Sequence, residues 1–205
     1  DTVFLEALMN FSVAQLTYVC VLMMVAGVIH MVLIKLPVLN SLLAPVDAGI
    51  TLRDGKRLFG DNKTWKGFIS MPLGGLVGFG LNSVLGDYSD TVYNLTIVGR
   101  ESGGIAKNAW IFGAFLGLGY VVAELPNSFI KRRIDIAPGA NKKGLIGRLF
   151  LVIDQIDSSI GCAIAMAIVL PLTSLDVVVL AVIGGVIHYV ANISLYFVGL
   201  KKQMG

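Results

Sequence analysis

Two carboxylates three residues apart, Asp154 and Asp157 in the stretch Val152-Ile153-Asp154-Gln155-Ile156-Asp157-Ser158, stand in a chain otherwise sparing of charge. On a helix, that spacing sends both side chains from one face. In a low-dielectric setting they repel each other unless something neutralises them. A hard divalent cation is the natural partner, and Mg2+ suits a site of one or two carboxylates that completes its shell with water and substrate phosphates. The plainer alternative is a solvated helix start, where acidic groups favour the dipole; it leaves the nearby cations without a role. Those cations form two blocks: Lys131-Arg132-Arg133, directly after Asn127-Ser128-Phe129-Ile130, and Lys142-Lys143 with Arg148 on the way to the carboxylates. Anionic headgroups alone would justify such clusters, at about 1 kcal/mol per residue. A third polar stretch, Asp54 to Gly67, mixes glycines, hydroxyls and lysines with one Trp. Glycines let backbone amides approach a phosphate, Lys supplies a point charge, and a Trp face can stack on a base. The stretch resembles a nucleotide site, although it lacks the spacing of a Walker loop.

The elements that must position these residues belong to a membrane. Apolar residues make up 56% of the 205 and charged ones 14%, with a mean hydropathy of +0.81, outside the usual globular range. No Asp, Glu, Lys or Arg occurs from Ala7 to Ile34, from Gly67 to Gly86 or from Val177 to Leu200. Each run can cross a hydrocarbon core of roughly 30 Å, which takes about 20 residues of helix. Asn108 to Ile130 holds one carboxylate, Glu124, and Ser158 to Leu175 holds none. The expectation is an all-α integral membrane protein of one domain, 1–205, with five transmembrane helices at about 11–35, 67–86, 108–130, 150–172 and 177–200. Pro126 should break the third, and loops 36–66 and 131–149 should carry the polar work. The first run is too long for a secretory signal and has no basic region before it, so it reads as a retained helix.

All but Arg100 and Lys107 of the 16 basic residues fall in the segments Lys35 to Lys66 and Leu125 to Leu149 or in the tail with Lys201 and Lys202, whereas the other side collects Asp1, Glu6, Asp87, Asp90, Glu101 and Asp176. The positive-inside rule then puts the N-terminus outside and the basic loops and C-terminus in the cytoplasm. Gly74 with Gly78 and Gly113 with Gly117 make two small-xxx-small faces suited to close helix packing; they permit a homodimer. Cys20 and Cys162 read as packing residues, and the intramembrane His30 and His188 as hydrogen-bonded to neighbouring helices.

The stretch Phe59-Gly60-Asp61-Asn62-Lys63-Thr64-Trp65-Lys66-Gly67, preceded by Ala44-Pro45-Val46 and Asp54-Gly55, resembles the FG-x-x-KTW-x-G motif of CDP-archaeol synthases, archaeal-type membrane CTP:lipid-phosphate cytidylyltransferases. Leu125-Pro126-Asn127-Ser128-Phe129-Ile130-Lys131-Arg132-Arg133, then Pro138-Gly139, then Asp154-Gln155-Ile156-Asp157-Ser158 is similar to the S-x-x-KR, PG and D-x-x-DS order of the wider CDP-diacylglycerol synthase superfamily. The superfamily's Lys-Asp pair after Lys-Arg is missing; Ile134-Asp135-Ile136 stands there, with Asp135 the candidate substitute at a different spacing.

The resemblance implies attack of a lipid phosphate on the α-phosphorus of CTP with release of pyrophosphate. Asp154 and Asp157 would hold Mg2+. Lys131 and Arg132 would clamp phosphates together with Lys63 and Thr64. Asp54 belongs to the same binding loop, and Trp65 would stack on cytosine or anchor at the headgroups. Asn127 and Ser128 would be hydrogen-bond donors or cap a following helix. The implied partners are CTP, a lipid phosphate and the bilayer, with no nucleic acid, in a multi-pass cell-membrane protein whose active site faces the cytoplasm. Phosphatidate is the alternative acceptor to an ether lipid phosphate. A small transporter, with Glu124 and Asp154 as pathway groups, is the reading from another class.

Overall fold

The computed structural model describes residues 8–98, 104–140 and 144–198. Lys142, Lys143, Arg100, Glu101 and the charges at the two termini lie outside them. Five long helices are present: α1 (Val13–Lys35), α2 (Trp65–Gly86), α4 (Ala109–Arg133), α5 (Leu145–Val169) and α6 (Ser174–Phe197). A short α3 (Asp90–Leu95) and two 3-10 turns, Pro37–Leu42 and Ile105–Lys107, lie in the connections. All five long helices are apolar enough to cross a bilayer, and the described residues contain only two isolated β-bridges in place of strands.

Consecutive long helices run antiparallel and pack side by side, α1 on α2, α2 on α4, α4 on α5 and α5 on α6; α6 returns to α1 and closes a ring. Lipid tails are as apolar as leucine, so helices in a bilayer associate through close packing. Here glycine supplies it. A Cβ on Gly75 would overlap the Gly113 carbonyl, and one on Gly113 would overlap that of Gly75. Gly74 lies against the Ala26 carbonyl of α1, and a Cβ on Gly117 would come 2.6 Å from the Met71 oxygen. Both expected glycine faces are therefore occupied inside the chain. The outward faces show the inverse pattern: Val178, Val182, Val186 and Val190 of α6 follow the i, i+4 spacing and are more than half exposed, as suits a wall in lipid.

Two boundaries differ from the sequence expectation, and both matter to the site. Pro126 does not break its helix; α4 runs through it to Arg133, because neighbouring helices in a bundle absorb a proline. The block Lys131-Arg132-Arg133 is thus the last turn of α4, and Asn127 and Ser128 lie within the helix and cap none. Helix α5 begins at Leu145, five residues before the expected start near 150, and ends at Val169. Asp154 and Asp157 therefore sit well inside it, away from a solvated helix start. Cys20 and Cys162 are free thiols. His30 Nδ1 meets Ser70 Oγ of α2 at 2.8 Å, and His188 meets Tyr120 of α4 and the Gln155 carbonyl of α5, all on neighbouring helices as expected.

Candidate functional site

The long connection from Leu43 to Thr64 is folded tightly by local bonds. Val46 N–H donates to the Lys63 carbonyl at 2.7 Å and Trp65 N–H to that of Ala44 at 3.0 Å, pinching the loop shut at its base. Inside it Asp47, whose side chain is fully buried, accepts from the amides of Phe59, Gly60 and Gly49 at 2.9, 3.0 and 3.1 Å and from Arg57 Nη2 at 2.5 Å. Burial works to raise this carboxyl; the Arg57 guanidinium and the three amides outweigh it and hold the group well below the usual carboxylate range. The same contacts raise the Arg57 guanidinium, which also pairs with Asp61 at 2.6 Å.

This loop is stapled to the end of α4. Arg132, buried, donates from Nε to the Phe59 carbonyl at 2.8 Å and from Nη1 to the Ile136 carbonyl. Arg133 reaches Asp54 at 3.0 Å and the Arg57 carbonyl, and Lys56 pairs with Asp135 at 2.7 Å. Gly60, at φ +105°, is required by the fit: a Cβ there would lie 2.8 Å from Pro138 and 3.1 Å from Arg132 Nε. Pro138-Gly139 turns the second loop over the first, with Ala140 N–H closing on the Ala137 carbonyl at 3.1 Å.

Beneath the loops a cavity of about 640 Å3 runs from Asn62 and Ala137 down between the helices to Leu116, Met166 and Leu180. Its polar wall is one stripe of α4, Glu124, Asn127, Ser128 and Lys131, at the helical spacings i, i+3, i+4 and i+7. Facing it on α5 are Asp154 and Asp157. Lys131 Nζ contacts both oxygens of Asp154 at 2.5 Å. Asn127 Nδ2 bridges the two carboxylates, at 2.6 Å from Asp154 Oδ1 and 2.7 Å from Asp157 Oδ2. Ser158 donates through its amide, 2.6 Å, and its hydroxyl, 3.0 Å, to Asp157 Oδ1. Lys63, delivered by the loop, forms an ion pair with Glu124.

Of the residues singled out by sequence, Lys63, Asn127, Ser128, Lys131, Arg132, Asp154 and Asp157 meet at this cavity. Asp54, Thr64 and Trp65 do not line it. Asp54 binds the Lys56 amide and Arg133, Thr64 caps α2 through the Gly67 amide at 3.3 Å, and Trp65 is 43% exposed with its ring edge-on to Phe68. Asp135 is turned outward, 74% exposed on its ion pair with Lys56. Asp47 escaped sequence reasoning, as did Glu124 as the partner of Lys63. The signal for Glu124 was its place in the 124–127–128–131 stripe. Asp47, on a loop, left no periodic signal.

The chemistry such a cavity supports is the gathering of phosphate groups: three cationic side chains, Lys63, Lys131 and Arg132, stand with three carboxylates, Glu124, Asp154 and Asp157, at the end of a bilayer-length bundle. A solved structure described as an intramembrane enzyme for archaeal membrane lipids biosynthesis superposes with a TM-score of 0.54 at 25% identity, over 84% of this chain and 92% of that one. The CDP-archaeol synthase of Methanococcoides burtonii is 30% identical over 166 residues, 78% of this chain and 89% of the relative. That of Pyrococcus abyssi is 34% identical over 155 residues, 74% and 78%, and that of Aeropyrum pernix 32% over 168 residues, 81% of each. These findings give the transporter reading no support. A family model described as CarS-like CDP-archaeol synthase matches residues 37–204, which take in both loops and every helix that lines the polar wall, and the chain belongs to that family.

Proposed function

We propose that the cavity joins CTP to an archaeal-type ether lipid phosphate, with Lys63, Lys131 and Arg132 gathering the phosphates and Asp154 and Asp157 holding Mg2+. A phosphate oxygen of the lipid attacks the α-phosphorus of CTP, the bond from that phosphorus to the bridging oxygen breaks, and pyrophosphate leaves. The nucleophile is already anionic, since a phosphomonoester has a second pKa of about 6, so no general base is required. The difficulty is the meeting of two polyanions, which makes the catalysis one of positioning and electrostatic stabilisation.

The observation that carries the reading is the convergence of Lys63 from the loop, Lys131 from α4 and the α5 carboxylates on one cavity. Lys63 and Lys131 are held by Glu124 and Asp154 and are aimed inward before any phosphate arrives. Arg132 ties the Phe59 carbonyl of the loop to the Ile136 carbonyl beyond α4 and lines the cavity wall. Asp54, Thr64 and Trp65 shape the loop that delivers Lys63. Among the described residues no group of three or more His, Cys, Asp or Glu could gather round a metal; two carboxylates of hard oxygen donors fit Mg2+, which takes one or two and leaves room for substrate. When bound, that cation would neutralise charge on the nucleotide phosphates. Met23, Met24 and Val28 of α1 and Ile187 and Ala191 of α6 give the cavity apolar walls for the lipid. In this reading the site faces the cytoplasm, where CTP is found, a side that the bias of basic residues toward these loops supports by the positive-inside rule.

Purified protein incubated with radiolabelled CTP and either digeranylgeranylglycerol phosphate or phosphatidate should form labelled CDP-lipid from the ether substrate with Mg2+ and none with chelator. Asp157→Asn should abolish it. Undiminished turnover in a folded Asp157→Asn protein would sink the metal assignment, and preference for phosphatidate would overturn the choice of lipid.

A further inference from the structure

We propose that Asn127 is a third oxygen ligand of the divalent cation, brought into place by turning its side-chain amide over; this rests on the assignment of that cation to Asp154 and Asp157. Asn127 is 8% exposed, its Nδ2 donates to both carboxylates at 2.6 and 2.7 Å, and its Oδ1 is buried with no hydrogen-bond partner. A primary amide carries two donors and an acceptor oxygen, and a buried polar group left unmatched is costly.

Without a cation the orientation is forced. Turned the other way, the amide would set its oxygen against two carboxylates, of which Asp154 alone carries a cation, Lys131, and Asp157 carries none. Its nitrogen therefore stands where positive charge is wanted, bridging Asp154 on one side and Asp157 on the other. Nitrogen and oxygen of the amide occupy nearly equivalent positions about a terminal torsion that is broad and roughly two-fold. A half turn presents Oδ1 to the same point between the carboxylates and takes Nδ2 away from it. The orphaned oxygen then gains a partner, and a cation gains a neutral hard ligand without further negative charge. Helix α4 contributes this ligand to a pair that α5 alone supplies, so the cation would also tie the two helices together.

The test uses Mn2+ as the probe, its binding to the detergent-solubilised full chain followed by electron paramagnetic resonance without nucleotide. Asn127→Leu should weaken Mn2+ binding by about tenfold or more, and Asn127→Asp, which keeps an oxygen there, should bind at least as tightly as wild type. If Asn127 only cross-links the carboxylates, leucine removes a competitor of the cation and binding stays the same or tightens, which overturns the proposal; so does weakened binding in Asn127→Asp. A second measurement needs no variant to fold: wild-type protein made with carbonyl-13C asparagine should show 13C coupling to bound Mn2+, and its absence with Mn2+ bound overturns the ligand role. Wild-type binding that Asp157→Asn leaves unchanged would remove the carboxylate site itself, an outcome distinct from failure at Asn127.

Discussion

At the end of the bundle where α1 begins, Leu16, Val19, Phe79, Phe112 and Leu116 fill the space between helices, with the Phe79 and Phe112 rings edge-on at 5.7 Å. Polar groups there are mostly neutral: Tyr18 donates to Asn82, Asn82 to Thr96, and Ser12–Gln15 and Thr173–Asp176 close capping boxes, Asp176 being a buried carboxylate that takes amides of Thr173 and Asn10 in place of a cation. At the loop end α1, α4, α5 and α6 line a cavity where charged side chains from different parts of the chain pair, Lys63 with Glu124 and Lys131 with Asp154, and the loop above it is held by Asp47 with Arg57 and three amides. One end holds the ring together by shape. The other is kept open by charges that hold one another until an anionic substrate can take their place. Burying ionic groups adds little net stability over an apolar core, so their concentration at one end marks the place where charge is used.

Substitutions at the two ends should separate these roles. Lys63→Ala should cut cytidylyl transfer by about 10²–10³-fold, seen in the transfer assay, with little change in thermal unfolding; equal loss of stability and activity would erase the distinction. Gly113→Leu drives a side chain into the Gly75 backbone and should cost at least about 1–3 kcal/mol, read as a lowered unfolding temperature in detergent. Asp47→Asn lies between the two. It should cost about 1–3 kcal/mol and raise KM for CTP more than it lowers kcat, because the loop that delivers Lys63 loosens. The carboxyl of Asp47 is depressed in the folded chain, so its stabilisation is complete above the ordinary carboxylate range and is lost as pH falls below it; acid unfolding should be shallower in the Asn variant. Tyr18→Phe, which removes a single hydroxyl from the packed end, should cost about 1 kcal/mol and leave kcat unchanged.

Much of the fold was legible before any coordinates, because apolar runs of bilayer length report directly on what lipid accepts. The five spans, the glycine contacts and the inter-helix bonds of His30 and His188 followed from that. The helix ends did not. Pro126 is a breaker in water but is absorbed inside a bundle, and Gly144 starts α5 without a side-chain cap to announce it.

Within the site, residue types and spacing singled out Asp154 and Asp157, since charge in an apolar chain is costly and local spacing shows which residues share a helix face, while the motif resemblance added Lys131, Arg132 and Lys63. The tertiary structure alone decided which charge meets which: Glu124 takes Lys63, Arg132 turns to backbone carbonyls, Asp54 and Trp65 face away from the cavity, and Asn127 stands between the carboxylates. Those pairings depend on how five helices are ordered and rotated in the ring and on where a loop is stapled. A sequence pattern carries the period of each helix, but not the angle at which it faces its neighbour.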